Sequence, residues 1–391
     1  MRRLSAVICL FIALSFTSCT SGISGQKPGE IELKSFDIKD SHVRLDLSDS
    51  FRIDADISGN DISKMSCYKL NSPRMSEEKI TGLFFPGGGY KREDKENESS
   101  VFTKDNERLT VYFKDKDNKD QFECEAVEFA LDKGKEFSAV LAQQSYSDYA
   151  AEAGGEAVEL VKAQLDKLPV EYCDFHILKL NSTDMNNSYN AAVKEQQIIK
   201  TNNEDYEFSE DEYLDENFKF NAGDDCYLIA GRTLLKGLPV NEGWYSSYRN
   251  SYNIYAAVSS RGIEFLEIKN MYSAEEAYNE NSVVSAEKSV VSLYKAFDAS
   301  ALEDKVNVSI NEISLIYCTD MDKNDPTTKG DIVPVWFINY LVNGADGGEP
   351  QEKCCAVYAS DGKIMNPEEY LFAYFHETGY SLEEGSVLSD Q

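Results

Sequence analysis

The chain has 391 residues and a formal net charge of −30, with 39 Lys and Arg set against 69 Asp and Glu. That excess of acid excludes nucleic acid as a partner, because affinity for a phosphate backbone needs clustered Lys and Arg, and no basic run here stands apart from acidic neighbours. Hydrophobic residues make up 42% and aromatics 12%, which suits a globular chain, and the length predicts two or three domains.

Arg2 and Arg3 precede an apolar stretch from Leu4 to Phe16 that is too short to span a bilayer comfortably and reads as an export signal. It ends in Phe16-Thr17-Ser18-Cys19, which resembles the lipobox of bacterial lipoproteins, with Phe in place of the usual Leu at the first position. The expectation is a lipoprotein signal peptide over 1–18, acylation of Cys19, and a flexible tether over 19–30 rich in Ser, Gly and Pro. The expected location is the extracytoplasmic face of the cell membrane, held by lipid. Loss of Arg2 and Arg3 leaves 37 basic and 69 acidic residues, a net of about −32.

Residues 31–150 read as a β-rich N-terminal domain. "HVRLDLSD", "FRIDADIS", "ERLTVYFKD", "FECEAVEFALD" and "EFSAVLAQQS" carry alternating or β-branched and aromatic patterns between Gly, Asn and Asp. One helix interrupts them, from the N-cap Ser76 to about Phe84, and Gly87-Gly88-Gly89 reads as a turn. Residues 151–284 form a second unit. Its helix "EAVELVKAQLDKLP" repeats Val158, Val161, Leu165 and Leu168 at helical spacing, and the strands "YCDFHILKL", "CYLIAGRTLL", "NIYAAVSS" and "IEFLEIKN" follow around an acidic insertion at 184–224. Residues 285–380 repeat the order, with a helix from Ser285, the strands "VNVSINEISLIYCTD", "DIVPVWFINYL" and "CCAVYAS", and a closing helix from Asn366-Pro367. The tail 381–391 reads as disordered.

Seven cysteines follow Cys19, an odd number, and none is spaced as a CxxC zinc pair. Most sit inside apolar runs, so they read as small buried hydrophobes. Cys354-Cys355 on a strand would point to opposite faces, which argues against a vicinal disulfide.

The runs "GLPV" (Gly237 to Val240), "AVSSRGI" (Ala257 to Ile263), "VPVW" (Val333 to Trp336) and "YASDGKI" (Tyr358 to Ile364) resemble the YycH/YycI-like extracytoplasmic regulatory proteins of Firmicutes. They are also similar to PepSY domains. The resemblance covers roughly Gly154 to Met365 and implies an α+β fold of tandem αβββ modules, each a helix on an antiparallel sheet, and a role in regulating another envelope protein. YycI-like proteins also hold an N-terminal transmembrane helix, where this chain offers only a lipid. In "VPVW", Val333, Val335 and Phe337 alternate with Trp336 and Ile338, and Trp336 is expected to anchor the sheet against its helix.

Catalytic signatures are missing or meaningless. His42, His176 and His376 are far apart, HExxH and GxSxG are absent, and SxxK recurs at Ser66, Ser285 and Ser292 without companion motifs. No enzyme, cofactor or metal is therefore expected, although the acidic run Asn202 to Phe218 leaves Ca²⁺ undecided because its oxygens lack EF-hand spacing. "GWYSSYRNSYNIY" gathers Trp244, Tyr245, Tyr248, Tyr252 and Tyr255, the amphipathic anchors favoured at interfaces, and is the candidate contact surface. The expected function is non-catalytic binding or regulation of an envelope protein such as a protease or sensor. The alternative is a glycan or solute receptor that uses the aromatic loop.

Overall fold

The computed structural model describes residues 41–95, 99–114, 122–144, 149–151, 155–202, 208, 213–242, 252–274, 277–299, 306–320, 330–344 and 350–365. Cys19, the tether, the closing helix and the tail lie outside them.

The chain opens with β1 (His42–Asp46), β2 (Phe51–Ser58), β3 (Lys64–Lys69) and β4 (Arg74–Met75), then α1 (Glu77–Phe84). Ser76 caps α1 by accepting the Lys79 amide at 3.2 Å, while Glu77 and Glu78 complement the positive end of the helix dipole. Next come β5 (Lys91–Lys95), β6 (Ser99–Lys104), β7 (Glu107–Lys114), β8 (Phe122–Ala130), α2 (Gly134–Ala142), β9 (Ala150–Ala151), α3 (Glu156–Leu165) and β10 (Glu171–Leu180). A long α4 (Ser182–Asn202) precedes β11 (Cys226–Leu235), β12 (Leu238–Glu242), β13 (Ile254–Ser259), β14 (Gly262–Ile268) and β15 (Ala277–Ser282). The described chain closes with α5 (Ala286–Ala299), β16 (Val306–Asp320), β17 (Asp331–Gly344) and β18 (Gln351–Tyr358).

All eighteen strands belong to one hydrogen-bonded network with two lobes. In the first, entirely antiparallel, the order is β5-β6-β7-β8-β14-β13-β11-β10-β9, with β4 beside the start of β8. In the second, β1-β2-β16-β17-β18 is mixed, because β2 runs parallel to β16, and β3 joins β17 at Asp331 and Ile332 while carrying β15 on its other edge. The lobes meet at β12, which leaves β11 through the tight turn Lys236-Gly237, both residues at positive φ, and then runs parallel to the far end of β16.

The expected α+β fold of tandem αβββ modules behind a separate β-rich domain is thereby overturned. Strand outweighs helix, 49% to 24% of the described residues, and the early strands complete the later sheets: β8 pairs with β14, β2 with β16, and β3 with both β15 and β17. A module of one helix and three strands would leave those edges unpaired, and the N-terminal strands close them.

The sequence reading named no strand at β3–β6, β9, β12 or β15, and it also differs from the structure at two helices. The segment "EFSAVLAQQS", expected as a strand, lies largely in α2, where Phe137, Val140 and Leu141 recur at i, i+3 and i+4 and are all buried. The acidic insertion contains α4, whose buried stripe Met185, Tyr189, Ala192, Val193 and Gln196 is diluted by polar neighbours, and whose first turn is capped by Asn181 Oδ1 accepting from the Thr183 and Asp184 amides.

In the second lobe every residue from Ile332 to Tyr340 and from Ile313 to Thr319 is buried. A strand buried on both faces reads as a continuous apolar run rather than an alternation, which accounts for "IVPVWFI". α5 lies across β17 and β18, packing Tyr294 and Phe297 edge-to-face on Phe51. Trp336 is 1% exposed and its Nε1 donates to the Val284 carbonyl at 2.8 Å, just ahead of α5. All seven described cysteines are free thiols, six of them buried and Cys173 half-buried. Burial pushes the Cys124, Cys226 and Cys354 thiols up to about 12, so they stay protonated and unreactive.

Both lobes end in charged edges among the described residues. β1 (HVRLD) alternates exposed and half-buried positions, and β5 is the fully charged KREDK.

Trp336→Ala should destabilise the chain by about 3–5 kcal/mol, the cost of emptying a large buried aromatic site, read from the shift of a urea midpoint. Native-state titration with a thiol reagent, in a chain beginning after Cys19, should label Cys173 alone and reach the six buried thiols only on unfolding.

Candidate functional site

The first lobe covers one face with α1, α3 and a large apolar core that includes Val158, Val161 and Leu165. α2 crosses the other face. Its approach is fixed at the N-terminus by Gly134, where an added Cβ would stand 2.2 Å from the Cβ of Ala130, so only glycine lets the helix start this close to β8. Phe137, Val140 and Leu141 pack there with Ala130, Phe265, Leu228 and Ala257, and α4 adds Met185, Tyr189 and Val193 to the same cluster.

Charge holds this end of α2 as well. Asp224 and Glu264, each 1% exposed, share the Arg261 guanidinium, which lies 3.3 Å from Asp224 and 2.7 Å from Glu264, while Lys133 Nζ reaches Asp224 at 2.5 Å. Ser259 Oγ donates to Glu264, and the Leu131 amide donates to the Glu264 carbonyl at 2.9 Å. Burial alone would raise the Asp224 carboxyl. The Asn221 amide and Lys133 override it, and the net shift is downward.

α2 covers one row of cross-strand neighbours, Ala130, Phe265 and Ala257, and leaves the adjacent row on the same face open. That row runs Thr110, Glu128, Glu267, Tyr255 from β7 to β13. Glu128 and Glu267 face each other directly, a repulsive pairing that Lys269 relieves by lying 3.0 Å from Glu267.

Two cavities follow the helix. A shallow trough of about 1080 Å³ has Arg108, Thr110 and Glu128 in its floor and Lys135, Glu136 and Ser138 in its α2 wall. A narrower pocket of about 280 Å³ is lined by Gln144, Tyr149, Tyr252, Tyr255, Glu267 and Lys269. Both touch Ser138, Ala142 and Phe265, so they form one groove that bends round the C-terminal half of α2.

Of the candidate contact residues, Trp244, Tyr245 and Tyr248 lie outside the described residues. Tyr252 and Tyr255 are brought together in this pocket, at the entry to β13, rather than displayed on a loop. Tyr252 is 6% exposed, its ring 5.5 Å from that of His176 and 5.2 Å from the Arg232 guanidinium carbon. Tyr255 is half-buried, with Lys269 Nζ 5.9 Å from its ring centre; burial and then Glu267 push its hydroxyl up to about 12, so it remains a donor at neutral pH. The sequence reading missed Tyr149, Gln144, Glu267 and Lys269. The "FLEIKN" strand offered a signal in its outward Glu267 and Lys269, but nothing local indicates that Tyr149 joins them.

The other chemical groups stand apart. His42 is exposed and bonded to Asp54 and Asp56 through its two ring nitrogens, His176 packs on Tyr252, and His376 lies outside the described residues. Among the described residues, no group of three or more His, Cys, Asp or Glu is placed to hold a metal ion, and no helix is long and apolar enough to cross a membrane. Most of the acidic run that left Ca²⁺ undecided falls outside the described residues.

The class these features define is a strand-dominated protein with a helix-walled groove on one sheet face. The sequence matches no protein-family model and no curated protein. Among solved structures, the fold is similar to an uncharacterized protein from Eubacterium rectale ATCC 33656, with a TM-score of 0.52 and 15% identity over 84% of this chain and 94% of that one. At that identity the likeness is one of fold.

Arg261→Ala removes the cation shared by two buried carboxylates. It should cost about 2–3 kcal/mol, below the 3–5 of a fully buried pair because Arg261 is itself half-exposed, as measured by chemical denaturation. Because the Asp224 carboxyl is depressed on folding, its contribution is present above the unfolded value near pH 4 and is lost as pH falls through the lower folded value. Asp224→Asn should therefore flatten the loss of wild-type stability below pH 4.

Proposed function

We propose that this protein is a non-catalytic binding protein, anchored by lipid at Cys19 on the extracytoplasmic face of the membrane, and that it holds a surface glycan or solute in the groove around α2. The observation that carries the reading is the narrower end of that groove, where Tyr149, Tyr252 and Tyr255 converge with a paired carboxylate and ammonium in a pocket of about 280 Å³. Outside the groove, the buried thiols are protonated, Asp224 is engaged by Lys133 at the start of α2 and by Arg261, and Glu264 by Arg261 and Ser259.

A second reading keeps the same groove and makes the partner another envelope protein, a protease or sensor, as the YycH/YycI-like resemblance implies. It is favoured by the trough, whose open floor and mixed charge suit a polypeptide segment better than a single small solute.

A photoreactive side chain at Ser138, which both cavities share, tests the two together. On intact cells it should capture a ligand that the same group at Asn343, in the other lobe, does not. A carbohydrate adduct supports the first reading and a protein adduct the second, and equal capture at the two positions, or none at Ser138, refutes both.

A further inference from the structure

We infer that the tyrosine pocket takes one uncharged pyranose ring of a neutral glycan, with the trough receiving the rest of the chain. The inference rests on the groove being the binding surface and goes on to name the ligand chemistry.

Three features carry it. The first is shape. A pocket of about 280 Å³ lies just below the range for small-molecule sites, about 300–1,000 Å³, which leaves room for one six-membered ring, while the Ser138, Ala142 and Phe265 lining it shares with the trough gives a polymer a way out. The second is the lining. Tyr149 and Tyr255, both half-buried, supply aromatic carbon whose electron-rich faces attract the weakly positive axial C–H bonds of a pyranose, with the buried Tyr252 behind them, and the Tyr255 hydroxyl remains a donor across the neutral range. The ring's hydroxyls would meet the Glu267 carboxylate, the Lys269 ammonium and the Gln144 amide, which together offer both donors and acceptors.

The third feature is charge. Glu267 and Lys269 lie 3.0 Å apart and largely cancel, so the pocket itself favours neither sign. The chain around it carries a formal −30, and the next cross-strand neighbour of Glu267 is Glu128. An anionic sugar entering from the trough would meet that field, whereas a neutral one escapes it. Phosphate-rich and uronic acid polymers are thereby selected against.

The test uses the full chain, titrated calorimetrically with maltotriose, cellotriose, xylotriose, chitotriose and, as the anionic counterpart, a galacturonic acid trimer. At least one neutral trimer should bind, and the uronate should bind at least tenfold more weakly. Tyr255→Phe should keep affinity within about threefold, while Tyr255→Ala should lose at least tenfold. Tyr149→Ala, at the half-exposed edge of the pocket, should show the same loss with an unchanged unfolding midpoint, which guards against a folding defect at Tyr255.

Failure of every neutral trimer to bind, uronate binding as tight as the best of them, or affinity unmoved by both alanine variants would each overturn the inference. If neutral sugars fail while the Ser138 probe still captures a ligand in cells, the groove keeps its role and only the sugar assignment falls.

Discussion

The antiparallel ladder between β16 and β17, from Val306 opposite Gly344 to Asp320 opposite Asp331, is the pairing on which the rest of the structure depends. Both strands are buried through their centres, so each needs cover on two faces and partners on two edges. α5 covers one face, while β2 and then β12 occupy the free edge of β16 in succession and β3 and β18 share that of β17. Pro334 falls between the reach of β3 and β18, at a position where a missing amide costs no ladder bond on that edge. The demand for edge partners draws strands from near the start of the chain and from its middle into one sheet.

The first lobe answers a different need. Its antiparallel strands bury one face under α1 and α3 and only part of the other under α2 and α4. The groove is the part left open. Its position follows from the close seat of Gly134 on Ala130 and from the Arg261 bridge, which together fix how far α2 lies from the row Thr110, Glu128, Glu267 and Tyr255. The groove is thus a by-product of how a short helix is pinned.

Most strands, together with α1, α3 and α5, are legible in the sequence because caps and periodicity are local. Ser76 marks the start of one helix, Ser285 that of another, and Val158, Val161 and Leu165 show the spacing of a third. What stays hidden is non-local. Nothing in "FRIDADIS" says that it will lie parallel to "VNVSINEIS", and a helix-then-strands order that recurs along the chain does not reveal that β8 and β2 complete those sheets. α2 was hidden because a nine-residue helix whose apolar run includes Phe137 and Val140 has too few turns to separate its period from that of a strand. The candidate site was half visible. Tyr252 and Tyr255 stood out as aromatics, whereas Tyr149, Glu267 and Lys269 acquire meaning only once β13, β14 and the end of α2 are adjacent.

The charged outer strands β1 and β5 have a consequence for the molecule in company. An exposed strand edge offers unpaired amides and carbonyls to any neighbour of the same kind, and copies held side by side would tend to zip into ribbons. With His42, Arg44 and Asp46 along one border and Lys91 to Lys95 along the other, a flush approach must strip a row of charged side chains of its water. In a crowded layer that cost works against copies joining edge to edge.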